Sequence, residues 1–137
     1  MFGIFGKKKR AKILLVDDDL SVIHALRERL EMSGFAVIAA SDGREGLEKA
    51  LNMKPDIILL DNNMPVMNGR EMLERLRENP KGRDICVIMV TAAGHIEDID
   101  HADKCGVDDY IIKPFNTHDL ILKIEAILET RRTLAEV

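Results

Sequence analysis

The sequence predicts an α/β domain, a doubly wound parallel sheet of five strands flanked by five helices. Three observations carry that prediction. From Lys12 onward, short apolar runs alternate strictly with helical patterns, and strict alternation implies right-handed crossovers and a parallel sheet covered on both faces. The runs are nearly continuous in apolar residues, as strands buried on both sides require. The chain has 137 residues, 46% of them apolar, with no low-complexity tract, which suits one domain with one core.

The elements follow in order. KILLVD (12–17) is the first strand. Residues 19–33 read as a helix with Val22, Ile23, Leu26 and Leu30 on one face, and Gly34 follows as its stop. FAVIAA (35–40) is the second strand, and residues 43–53 are a helix ended by the Lys54-Pro55 step. DIILL (56–60) is the third strand. The next helix, 69–78, carries Met72, Leu73 and Leu76 and stops before Pro80. ICVIMV (85–90) is the fourth strand, with Cys86 a buried thiol, and 94–105 is a weaker, polar helix. DYIIK (109–113) is the fifth strand. The last helix, 116–131, places Leu120, Ile121, Ile124, Ile127 and Leu128 on one face, with Asn116 as its N-cap and Asp119 favouring its dipole. The organisation expected is a basic and apolar extension (1–11), one domain (12–131) and a short tail (132–137).

Charge narrows the function. The chain is −4 overall and its first twelve residues are +5, so the remainder carries −9. An acidic body argues against a nucleic-acid partner, which usually needs a basic face. No apolar run reaches the ~20 residues of a membrane span. MFGIFGKKKR has neither the order of a secretory signal nor a glycine in second place for myristoylation. Phe2, Ile4 and Phe5 beside the cations could touch an anionic membrane surface weakly, and a solvated terminus is the simpler reading. Cys86 and Cys105 form no CxxC pair and suit a reducing cytoplasm.

In open α/β sheets, function gathers beyond the carboxyl ends of the strands. There the sequence places Asp17, Asp18 and Asp19, then Asp61, then Thr91, then Lys113 followed by Pro114. A sheet order of 2-1-3-4-5 would make the first and third strands neighbours and turn Asp17, Asp18 and Asp61 into one crevice, flanked by Thr91 and Lys113. Crowded carboxylates repel by roughly 4 kcal/mol per pair at 4 Å and an effective dielectric of 20, so such a cluster calls for a cation. Oxygen donors without His or Cys point to Mg²⁺ or Mn²⁺. A triple Asp at a helix start also serves as a cap and a solvated turn, and taken alone the run fits either role.

The segments VDDD (16–19), LLDNNMPVMNG (59–69), VTA (90–92) and YIIKPF (110–115), with the spacing between them, resemble the receiver domain of two-component response regulators, a flavodoxin-like fold of order 2-1-3-4-5. The resemblance spans about residues 12–130 and implies the roles. Asp61 is the phosphoacceptor. Asp17, Asp18, Asp61 and the backbone carbonyl of Asn63 hold Mg²⁺, with Mn²⁺ a substitute. Thr91 and Lys113 receive the phosphoryl oxygens. Thr91 and Tyr110 form the switch, and Lys113-Pro114 is cis. The phosphoryl donor is a phosphohistidine on a sensor kinase or phosphotransfer protein. The output is a conformational change on the face of the fourth helix, fifth strand and fifth helix, read by a downstream protein. Such a protein is no metabolic enzyme, but it catalyses its own phosphorylation and dephosphorylation. The fourth helix, GHIEDIDHADKC, has only Ile96 and Ile99 as large aliphatics, which suits a weakly anchored moving element. Asn68 stands where many members carry an acid. Ala93 offers nothing to orient a water, although Asn63 does, which leaves the phosphate lifetime open.

Other readings fit less well. A haloacid-dehalogenase-like phosphatase needs a second acid where Asn63 stands. A nucleotide or flavin site wants a glycine-rich cradle after the first strand, and Asp17-Asp18-Asp19 is hostile to one. His24, His95, His101 and His118 form no cluster for a phosphohistidine carrier. A receiver-fold interaction module that works without phosphorylation stays as the alternative. The expectation is a cytoplasmic single-domain regulator, either a monomer or a phosphorylation-dependent dimer, that signals by protein contact and without nucleic acid.

Overall fold

A computed structural model of the chain describes residues 10–92, 100 and 103–135. The elements are β1 (Lys12–Val16), α1 (Leu20–Met32), β2 (Ala36–Ala40), α2 (Gly43–Met53), β3 (Ile57–Asp61), α3 (Gly69–Glu78), β4 (Cys86–Ala92), β5 (Asp109–Lys113) and a last helix, Thr117–Ala135. The five strands form one parallel sheet in the order β2-β1-β3-β4-β5. Most of the expected fourth helix, 94–105, lies outside the described residues, as do Ala93 and the first nine residues.

Strand alternation divides the apolar residues between two cores. Leu14, Val16, Ile58, Leu60, Val87 and Met89 pack on one side with Met72, Leu73 and Leu76 of α3. Ile13, Leu15, Ile57, Leu59, Ile88 and Val90 pack on the other with Leu30 of α1 and Leu120 and Ile124 of the last helix. Both faces are filled, which is why the strands read as unbroken apolar runs. Each such side chain contributes about 1.5–3 kcal/mol on full burial. Cys86 is buried, as expected.

Boundaries moved where pairing decided them. β3 includes Asp61, which sits opposite Val90. β4 continues through Thr91 and Ala92 because β5 offers Ile112 and Lys113 as partners there. Lys54, in left-handed geometry (φ 47°), ends α2. The last helix runs to Ala135, beyond the expected end at residue 131, and the side chain of Asn116 accepts the His118 amide at 2.7 Å near its start.

Nothing in the sequence marked Arg77. Its guanidinium donates to the carbonyls of Gly82, Ile85, Cys105 and Gly106 at 2.7–2.9 Å and to that of Arg83 at 3.2 Å. Burial pulls its pKa down, against the opposing charge of Asp108. It fastens α3 to the loop before β4 and to the turn before β5, satisfying carbonyls that would otherwise be costly to bury.

Candidate functional site

The expected site residues other than Tyr110 stand at the carboxyl edge of the sheet, and the order 2-1-3-4-5 makes β1 and β3 neighbours. The chain leaves β1 towards β2 on one side and returns as β3 on the other, so a crevice opens between the two loops.

The three acids after β1 divide their work. Asp17 is 8% exposed, and its Oδ1 accepts the Asp19 amide at 2.9 Å. Asp18 faces solvent. Asp19 caps α1, its Oδ1 accepting the Ser21 amide at 2.9 Å and the Ser21 hydroxyl at 2.6 Å. The Ser21 hydroxyl and the Ser21 and Val22 amides hold the Asp19 carboxyl below the ordinary range. The Asp run therefore divides: Asp19 caps α1, while Asp17 and Asp18 stand with Asp61 in the crevice. Asp19 also orients Asp17, a role sequence reasoning missed.

Asp61 is 4% exposed at the end of β3, and Lys113 Nζ donates to its Oδ1 at 3.0 Å. One carboxylate oxygen from each of Asp17, Asp18 and Asp61 lies within 4.8 Å of the others. The electrostatics follow. Burial pushes the Asp17 carboxyl up and the charge of Asp61 adds to it, outweighing the Asp19 amide. Burial alone would lower the Lys113 ammonium, but its bond to Asp61 and the charges of Asp61, Asp17 and Asp18 raise it, so it stays cationic. Three carboxylates and one ammonium leave a net −2, and every donor is a hard oxygen. That set fits a divalent cation of the Mg²⁺ class. Asn63 is exposed in the loop beyond Asp61, within chain reach of the cluster.

Thr91 is 3% exposed on β4, opposite Ile112 and next to Lys113 in the β5 register. Among the described residues its hydroxyl reaches only the Ala92 carbonyl, at 3.5 Å, the outer limit of a hydrogen bond. That hydroxyl has little to lose by turning to another acceptor. Tyr110 pairs with Met89 lower on the sheet, and its hydroxyl donates to the Asp103 carboxylate. Burial, then Asp103, push its phenol pKa up. The Lys113-Pro114 bond is cis, as expected. Below the polar rim the crevice narrows to a small space lined by Leu15, Val22 and Phe115.

Two backbone details hold Asp61 in place. The Gly69 amide donates to the Asn62 carbonyl at 3.1 Å, and a Cβ on Gly69 would lie 2.5 Å from the Asp61 carbonyl oxygen. Only glycine lets α3 start this close to the end of β3. Asn68 caps α3, its Oδ1 accepting the Glu71 amide at 2.9 Å, which an acid at that place would do equally well. In the same loop Val66 has φ 66°, a strained conformation for a β-branched residue.

Comparison with known proteins agrees with this geometry. The family model of the response regulator receiver domain matches residues 13–125. The chain is 45% identical over 117 residues to the transcriptional regulatory protein CpxR of Escherichia coli, covering 85% of this chain and 49% of that protein. It is 38% identical over 122 residues to the DNA-binding dual master transcriptional regulator RpaA of a Synechocystis strain, covering 89% and 50%. It thus spans about half the length of these curated relatives, and their other half is not matched. Among solved structures, the CheY-like receiver domain protein of Methanospirillum hungatei superposes with a TM-score of 0.86 at 33% identity, covering 91% of this chain and 98% of that one. The Vibrio cholerae chemotaxis response regulator CheY4 gives 0.81 at 32%, covering 87% and 99%. The crevice, the sheet order and these matches converge on one assignment: the chain belongs to the response regulator receiver domain family.

Proposed function

We propose that this domain accepts a phosphoryl group on Asp61 from a phosphohistidine of a partner kinase or phosphotransfer protein in the cytoplasm. The observation that carries the reading is the joint placement of a buried Asp61, a cationic Lys113 at 3.0 Å and two further carboxylates within 4.8 Å.

The chemistry follows from those residues. A carboxylate oxygen of Asp61 attacks phosphorus, an O–P bond forms, and the N–P bond breaks with its electron pair returning to the imidazole, which takes up a proton. The carboxylate is a weak nucleophile approaching an anion, so charge neutralisation and alignment do most of the work. Lys113 supplies one positive charge and can follow the phosphoryl oxygens. Asp17, Asp18, Asp61 and the Asn63 carbonyl would hold Mg²⁺, or Mn²⁺ in its place, which when bound neutralises charge on the phosphoryl oxygens. Phe115 and Val22 restrict water from below.

The loosely held Thr91 hydroxyl is the natural donor to the new phosphoryl group. Its movement is the first step of a switch that frees Tyr110 from Asp103 and alters the face around β5 and the last helix, where a downstream protein reads it. Incubation with acetyl phosphate and Mg²⁺ followed by intact-mass measurement tests the first step. One added phosphoryl mass is expected, and none in Asp61→Asn; equal gain in both would sink the mechanism. Tyr110 is the sole tyrosine and the chain has no tryptophan, so a fluorescence titration with beryllium fluoride reads the switch. Absence of any change would favour an interaction module that works without phosphorylation.

A further inference from the structure

Among the described residues, none that lines the crevice belongs to α2, yet the first turn of that helix holds the loop beside it. Asp42 caps α2, its Oδ1 accepting the Glu45 amide at 2.8 Å. The next amide, that of Gly43, has no acceptor inside the helix. It donates instead to the Met67 carbonyl, at 3.0 Å. The approach is closer than a side chain allows. A Cβ on Gly43 would lie 2.2 Å from the Met67 carbonyl oxygen and 2.9 Å from its carbon. The obstacle is backbone, which cannot swing aside as the end of a side chain can.

Met67 belongs to the loop 62–68, which joins Asp61 to α3 and carries Asn63. The loop is tied at its base, where the Gly69 amide reaches the Asn62 carbonyl at 3.1 Å, and in its middle, where Met64 is buried in the core. Beyond Met64 it turns within three residues. The Met67 amide donates to the Pro65 carbonyl at 2.7 Å across Val66, whose φ is 66°. Such a turn is rare and strained, and strained backbone persists where its surroundings impose it. Val66 is 76% exposed, so packing of its own side chain offers little compensation. The Gly43 contact supplies a constraint from outside the loop, because it fixes the Met67 carbonyl on the far side of the turn.

We propose that Gly43 is a positioning residue for the divalent cation: α2 clamps the 62–68 loop through the Met67 carbonyl and so fixes where Asn63 stands relative to Asp17, Asp18 and Asp61. The proposal rests on the metal-dependent reading given above. Clamp and metal then favour each other by linkage, which gives two measurements on the full chain. In Gly43→Ala the added methyl displaces the loop. The Mg²⁺ concentration that half-saturates labelling by acetyl phosphate, and that which half-saturates the rise in melting temperature, should both increase by about tenfold, the scale for contacts that support a metal ligand. The labelling rate at saturating Mg²⁺ should stay close to that of the wild type. Leu73→Ala, weakened in the core, should keep the wild-type half-saturation. In the wild type, Mg²⁺ should slow hydrogen exchange of the Gly43 amide more than that of the Phe35 amide, which is bonded to the Leu30 carbonyl at 3.1 Å near the opposite edge. That comparison needs no variant to fold. Wild-type half-saturation in Gly43→Ala, an equal shift in Leu73→Ala, or equal effects of Mg²⁺ on the Gly43 and Phe35 amides overturns the proposal. A wild-type chain indifferent to Mg²⁺ overturns the metal reading itself, and the proposal with it.

Discussion

Replacing Asp17 by Asn should make the metal-free protein more stable while removing its response to Mg²⁺. Asp17 and Asp61 are both buried, and their nearest carboxylate oxygens fall within 4.8 Å. At an effective dielectric of 20, two charges at that separation repel by about 3.5 kcal/mol. Lys113 lies 3.0 Å from Asp61 and offsets part of this, so a net gain of about 1–2 kcal/mol is the realistic scale. Asn keeps the oxygen that accepts the Asp19 amide, so the substitution removes charge and little else. The folded Asp17 pKa lies above the ordinary 3.8, so between the two values the folded state binds more protons and wild-type stability falls as pH rises. The advantage of Asn is therefore absent below about pH 3.8, grows through the folded pKa and stays constant above it. Thermal unfolding in EDTA at neutral pH should show the variant melting higher by about 3–10 °C. Added Mg²⁺ should raise the wild type by mass action and move the variant far less. A variant that melts lower in EDTA would show that the carboxylates are not in mutual repulsion, and an equal Mg²⁺ shift in both proteins would show that Asp17 does not hold the metal.

Three other outcomes are expected. Val66→Gly relieves the strained φ of 66° and should raise stability by up to about 1 kcal/mol in urea unfolding. Gly69→Ala forces a methyl to within 2.5 Å of the Asp61 carbonyl oxygen, so it should cost about 2 kcal/mol or more and slow labelling by acetyl phosphate in protein that is still folded. Leu73→Ala, fully buried against the sheet, should cost about 2–5 kcal/mol yet leave the labelling of folded protein at Asp61 unchanged, which separates core from site.

Much of this was legible because each signal is local or periodic. Unbroken apolar runs mark strands buried on both faces, and the runs at 12–17, 56–60 and 109–113 fall within a residue of β1, β3 and β5. The site residues were legible because parallel topology sends every strand's carboxyl end to one edge, so Asp17, Asp61, Thr91 and Lys113 could be gathered before any distance was known. The bounds of β4 and the last helix were less so, since a strand's length depends on its partner: Thr91 is strand because Ile112 lies beside it.

The sequence by itself determined the fold class, the edge at which the candidate site residues stand and the acids that gather there, because periodicity and connectivity are properties of the chain alone. Only the tertiary structure decided how the Asp run divides between capping and crevice, that Lys113 rests on Asp61, that Arg77 binds five carbonyls, those of Cys105 and Gly106 among them, and that three helix ends leave Met32, Met53 and Leu134 exposed. Several of those outcomes depend on distances between residues tens of positions apart. Such distances are fixed by packing the helices on both faces of the sheet, and no local pattern encodes them.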